Sequence, residues 1–506
     1  MNSQREVILT TDDLAQAGQA ILSQLNLSIS NLPSERPASL ERANHRAIKN
    51  WLTRYQPKAK AHNLEQVQGL LESFHHLCTI AAWEKATQIL LLRINVVDRE
   101  SNNSQVDPLH LQIGRWGHYS TQTQIYTQLS GHCSPEAEMV CLNGLGLAYQ
   151  SIGNYSRAIE YHSQHLDLAT QLEDPIAEQN ALCNLGNVYG AVEQYSAATT
   201  CYEAALSLAC QVGDSRGEGK LLGNLGVLQR LQGNFENAIA YHQQHLQIAL
   251  ASEDLDGQAN ALENLGVAHY FRGDYENAKD LLQSSLRIAT QIGDKKAITV
   301  SLGSLGNVST ALGHLQEALH YYRQQLEISR EISFLEGQEK ALGNIGTIYK
   351  DLGDFDASLT YLQQKLSLAR QLYSRQSEAY ALSNMGNTYT CLEQYEEAIR
   401  CQQTSLEITQ ELGDTWGCAA AMCNLGDAYR LSGQFDTAVS HLLNSLLLFD
   451  KLRAPQVQAV MGLLIQIAYE VGIEAYSALL ENNLVAIQDS EGGEAIAKLR
   501  PYLFEE

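Results

Sequence analysis

The chain has 506 residues, of which 44% are hydrophobic and 18% charged, a balance that excludes wholesale disorder. Its formal charge of −23 argues against a general nucleic-acid binder, because a phosphate backbone needs clustered Lys and Arg. The most apolar stretch, Ile89 to Val97, is broken by Arg93, and "MNSQREVILTTDD" lacks the basic-then-apolar order of a secretory signal. Both features suggest a cytoplasmic protein with no transmembrane segment.

Residues 1–60 differ from the rest: eight Lys/Arg against five Asp/Glu make them basic in an acidic chain. They read as an N-terminal helical and linker segment, with a short helix around Leu14–Leu25 and a linker at "NLPSERPAS". Residues 61–140 show two faint second-helix patterns, "AAWEKATQILLLRI" from Ala81 and "WGHYSTQTQIYTQL" from Trp116. Two degenerate helical hairpins are expected there, as an N-terminal cap. From 141 to 460 the chain restates one phrase every 40 residues, eight times, without an insertion. Residues 461–506 read as C-terminal capping helices and a tail, "KLRPYLFEE".

Glycine fills one column of the repeat, from Gly146 and Gly186 to Gly386 and Gly426, and leucine another, from Leu166 to Leu446. A third column is alanine except at Ser358. Leu182, Leu185 and Tyr189 fall on one helical face, and Tyr195, Ala198, Tyr202, Leu206 and Ala209 on another. Each unit is therefore read as two helices. "GD" pairs such as Gly213-Asp214 supply a left-handed stop and an N-cap, and no proline interrupts the chain between Pro175 and Pro455. Glycine within a helix costs roughly 1 kcal/mol against alanine, so its recurrence predicts a close approach of the two helices.

Leu-(x)2-Leu-Gly-(x)2-Tyr, followed twelve residues after the glycine by alanine, resembles the tetratricopeptide repeat. The long period is most similar to adaptors of the Pins/LGN type and to bacterial arrays. The resemblance implies an all-α fold, an α-solenoid in which antiparallel helix hairpins stack as a right-handed superhelix. It also implies that first-helix residues line a concave groove for peptides.

Asparagine occupies the position two before the column glycine at Asn184, Asn224, Asn264, Asn344, Asn384 and Asn424, with Ser304 the exception. A carboxamide both donates and accepts, which suits a peptide backbone. The alternative is that each amide bonds a neighbouring repeat. Asn187, Asn307 and Asn387 stand three residues further on, with Arg230, Tyr270, Lys350 and Arg430 beyond them. Those cations would suit an acidic or carboxylate-bearing peptide.

His162/His165 and His242/His245 have a metal-compatible spacing but no third-ligand column, so they are read as solvated or interfacial histidines and no metal is expected. "GDSRGEGKLLG" from Gly213 departs from a phosphate loop at Asp214 and Leu221 and is read as a helix-cap turn; no cofactor is expected. The scattered cysteines form no CxxC pair and read as reduced thiols. The expected function is a non-catalytic scaffold or adaptor that binds a protein or peptide along residues 180–430. A peptide-sensing bacterial regulator and an assembly factor for a membrane complex stay open as alternatives, the latter through peripheral association. Oligomeric state is open.

Overall fold

The computed structural model describes residues 9–10, 18–19, 21–23, 25, 39–56, 63–97, 104–372 and 374–491. The chain forms two compact units, Met1–Ala297 with Glu331–Ser333, and Ile298–Arg330 with Phe334–Glu506. Half of the helix expected over Leu14–Leu25, the "NLPSERPAS" linker up to its last residue and the "KLRPYLFEE" tail lie outside the described residues.

Unit one opens with a small sheet. Strand β1 (Leu9–Thr10) runs parallel to β2 (Arg93–Val97), which pairs antiparallel with β3 (Ser104–Pro108) in the register Ile94 to Asp107. The helix expected from Ala81 therefore stops at Leu90 and its last residues become a strand. The reason lies in Ile94, whose β-branched side chain favours pairing and is fully buried. A helix that the sequence patterns do not reveal, Ser39–Arg54, packs Ile48 and Leu52 into the same core as Phe74, Leu77, Ile89 and Tyr126.

Hairpins make up the rest of the chain. Unit one holds Pro135–Ser151 with Tyr155–Gln171, Pro175–Ala191 with Tyr195–Val212, Ser215–Leu231 with Phe235–Ala251, and Leu255–Arg272 with Tyr275–Ile292. The helix Lys295–Ala311 passes from unit one into unit two after Ala297, and Leu315–Glu331 belongs to unit two up to Arg330. Unit two continues with Leu335–Asp351 and Phe355–Gln371, Arg375–Cys391 and Tyr395–Leu412, Thr415–Leu431 and Phe435–Lys451. It closes on Val457–Val471 and Ile473–Glu491, whose Val460, Leu464, Ile467 and Leu480 join the terminal core.

The glycine column is a set of sockets. A Cβ added at Gly146, Gly226, Gly306 or Gly386 would meet His162 at 2.3 Å, His242 at 2.4 Å, Tyr322 at 2.4 Å or Gln402 at 2.6 Å. At all eight positions the obstructing side chain stands sixteen residues later, on the second helix. Close approach is thus the cause of the glycine, as expected. The alanine column, with Ser358, is buried throughout where the helices meet.

Turns repeat as faithfully as helices. Gly153, Gly233, Gly273, Gly313, Gly353 and Gly433 all have positive φ, and Glu193 (60°) and Glu393 (59°) take the same conformation where glycine is absent. Between hairpins Gly213, Gly293 and Gly413 do likewise, joined by Glu173, Glu253, Ser333 and Arg453. Asp214 then accepts from the Gly217 N–H at 2.9 Å and Asp414 from the Gly417 N–H at 2.8 Å, the expected N-caps. The "GDSRGEGKLLG" segment is accordingly a helix-cap turn.

Candidate partner-binding face

First helices present their asparagines at one register, and the residue 41 positions earlier decides what each amide does. Asn184 Nδ2 donates to Asn143 Oδ1 at 2.8 Å, Asn224 Nδ2 to Cys183 Sγ at 3.6 Å, and Asn424 Nδ2 to Ser383 Oγ at 3.2 Å. These three tie one hairpin to the one before it. For Asn264, Asn344 and Asn384 the earlier residue is Gly223, Gly303 or Gly343, which offers no side chain. Their amides make no side-chain hydrogen bond among the described residues and are only partly buried.

Those glycines have their own cause. Where the preceding position is Cys183, Glu263, Ser383 or Cys423, the second-helix residue twenty-two later is small: Ala205, Ser285, Ser405 or Ser445. Where it is glycine, that residue is long and polar. A Cβ on Gly223 would lie 3.2 Å from His245 Nδ1, one on Gly303 2.6 Å from Gln325 Nε2, and one on Gly343 3.0 Å from Lys365 Nζ. His245 and Gln325 are buried, and His245 Nδ1 and Gln325 Oε1 have no hydrogen-bond partner. At these three positions the glycine makes room for a long second-helix side chain and leaves the next asparagine open, whereas Asn143, twenty-two residues before the buried His165, keeps its side chain and accepts from Asn184.

The second asparagine column serves its own hairpin, and Asn187 Oδ1 also accepts from Asn224 Nδ2 of the next one at 3.4 Å. Asn187 Oδ1 accepts from Tyr202 Oη at 2.8 Å, Asn307 Oδ1 from Tyr322 Oη at 2.7 Å, and Asn387 Oδ1 from Gln402 Nε2 at 2.9 Å. Each satisfies a polar group wedged into a glycine socket. The four larger candidates are also engaged. Arg230 sits 5.0 Å over the Phe271 ring, and Tyr270 packs edge-on to Phe271 at 5.3 Å. Lys350 pairs with Asp351 at 2.9 Å, and Arg430, its side chain only 10% exposed, bridges Asp427 and Glu470. Lys365, a second-helix residue absent from the sequence candidates, forms no ion pair among the described residues. Its signal was the large–small alternation at positions twenty-two apart.

Neither histidine pair is solvated: His162 and His242 are fully buried, His165 and His245 nearly so. Burial, with each neighbouring histidine, lowers His162 to about 4 and His242 to about 3, so the rings are neutral. No group of three potential metal ligands occurs among the described residues. The cysteines are free thiols, with Cys78, Cys141 and Cys418 buried. No described helix is long and apolar enough to cross a membrane.

A single hairpin restated with matched sockets defines an α-solenoid repeat protein. Tetratricopeptide-repeat models match residues 142–176, 177–251 and 377–446, and the MalT-like tetratricopeptide region matches 225–380; the chain belongs to the tetratricopeptide-repeat family. No curated protein matches the sequence. Among solved structures the chain is similar to the apo quorum sensor NprR from B. thuringiensis, at 14% identity over 77% of this chain and 100% of that one, TM-score 0.49. It is also similar to a signal-transduction ATPase with a tetratricopeptide-repeat sensor from Pyrococcus horikoshii, at 14% identity over 96% of this chain and 74% of that one, TM-score 0.48. Aspartyl phosphate phosphatase F from Bacillus subtilis shares 12% identity over 67% of this chain and 91% of that one, TM-score 0.47.

Proposed function

We propose that this protein is a non-catalytic, cytoplasmic adaptor whose first-helix face binds an extended segment of a partner protein. The observation that carries the reading is the division of the asparagines. Asn184, Asn224 and Asn424 are spent on the preceding hairpin, whereas Asn264 in unit one and Asn344 and Asn384 in unit two are left with a donor and an acceptor each. An extended peptide has unpaired N–H and C=O groups along its length, and a carboxamide can pair with both. A buried or purely structural amide would have a partner inside the fold, as the other three do.

The test compares two triple variants in affinity capture from the native lysate. Asn264/Asn344/Asn384→Ala should lose the partner while melting like the wild type. Asn184/Asn224/Asn424→Ala should lower the melting temperature, because it cuts contacts between hairpins. Retention of the same partners by the first variant would sink the reading.

A further inference from the structure

The repeat breaks down in Val457–Val471, the last first helix of unit two. Ile465 occupies the column that is buried in all eight repeats, from Leu145 to Leu425, yet it is 50% exposed. Tyr469 stands in the column where Tyr149, Tyr349 and Tyr429 stack on a ring twelve residues later, on Tyr161, Tyr361 and His441. Twelve residues beyond Tyr469 is Glu481, and the tyrosine is 85% exposed. The socket column holds Gln466 in place of glycine. Only Gly472 separates Val457–Val471 from Ile473–Glu491, where the repeats use two or three residues. The final helix leans instead on Phe435–Lys451: Leu480 shares its core, and Asn483 Nδ2 donates to Asp436 Oδ1 at 3.1 Å. Val457–Val471 is therefore a first helix whose packing face has no second helix over it among the described residues. The apolar ridge continues at Ile473, which is 79% exposed.

Gly462 indicates what the ridge fits. Among the described residues it is the one glycine inside a helix around which an added Cβ would meet nothing within 4 Å, so neither a turn nor a neighbour in the chain accounts for it. Gly462 and Tyr469 are seven residues apart, about two turns, and share one line on the helix with Ile465. Two copies of this helix, packed antiparallel about a twofold axis between Ile465 and Gln466, set Tyr469 of each against Gly462 of the other. The repeats use the same fit internally, where Tyr202 and Tyr322 plug Gly186 and Gly306. Charge permits it: Glu470 is paired with Arg430, and the two copies of Glu470 would lie about 13 Å apart along the helices. Ridge on ridge would bury on the order of 1,000 Å², the lower limit for a specific interface. We propose that this protein forms a twofold homodimer through Val457–Val471, with Tyr469 of one copy seated on Gly462 of the other.

Sedimentation equilibrium on the full chain tests this. The expected mass rises with concentration from 55.9 kDa to twice that value. Tyr469→Ser removes the plug and should weaken association about 10-fold or more. Gly462→Ala fills the socket and should weaken it too, while raising the melting temperature of the dilute monomer, because alanine replaces glycine in a helix with open space beside it. Neither change touches the core, so both variants should fold. The double variant should lose little more than the larger single loss, as expected for two residues that act on one contact. A dimer that both variants leave intact overturns the proposed seat. A monomer at every concentration overturns the dimer. Hydroxyl-radical footprinting of that monomer would then assign the face: a shielded Tyr469 to cover by residues 492–506 of the same chain, a reactive one to a different protein.

Discussion

Mild acid should open unit one before unit two. His162 and His242 fill the sockets of Gly146 and Gly226, fully buried, with both ring nitrogens of each unpartnered. The charged form is disfavoured by burial and by His165 and His245 respectively, with Arg230 adding to the effect on His242. Asp174 and Asp254 act in the opposite sense on His165 and His245. Because the folded pKa values, about 4 and about 3, lie below the ordinary 6.5, the unfolded chain takes up the proton first. Stability is therefore complete above pH ~6.5 and is lost as pH falls toward the folded values. At pH 5 each ring should cost about 2 kcal/mol, about 4 kcal/mol for the two. Unit two holds no fully buried histidine among its described residues. The repeat itself supplies the control, since Leu282, Leu362 and Leu442 occupy the same socket in other hairpins. Hydrogen exchange followed by mass spectrometry between pH 7 and 5, on the wild type and on His162→Leu/His242→Leu, resolves the units. The wild type should lose protection over residues 135–292 and the variant should lose less, His165 and His245 being still present; equal acid loss in both refutes the reasoning.

The packing leads to three further outcomes. Gly346→Ala places a Cβ 2.7 Å from Leu362 Cγ and should destabilise by about 1–3 kcal/mol, read as a lower melting temperature. Glu193→Gly and Glu393→Gly should each stabilise by about 1 kcal/mol, because both residues hold a left-handed conformation that glycine adopts freely; a drop in denaturant midpoint would contradict this. Arg430→Ala removes the link between Asp427 and Glu470 and should loosen Val457–Val471, seen as faster amide exchange there.

The hairpins were legible because their information is local. Apolar spacing, cap residues and the recurring glycine all act within one forty-residue unit, so reading one unit read eight. The sheet was not, because an apolar run such as Ile89–Val97 fits a helix as well as a strand until Leu9–Thr10 and Ser104–Pro108 are placed beside it. Ser39–Arg54 was hidden by its sparse apolar stripe among charged residues. At the candidate face the asparagine column was visible, but its division was not. Which amides stay open depends on the residue 41 positions earlier, which at Gly223, Gly303 and Gly343 is crossed by a side chain from a second helix.

The two kinds of fit have different consequences for how such a chain can change. Glycine sockets and their plugs lie sixteen residues apart inside one cassette, so a cassette duplicated or deleted whole carries its core with it. The asparagine contacts run between cassettes. Reordering intact cassettes would therefore preserve the architecture while changing which amides are occupied and which are exposed. New arrangements of open amides can arise by recombination alone, with no substitution anywhere in the core.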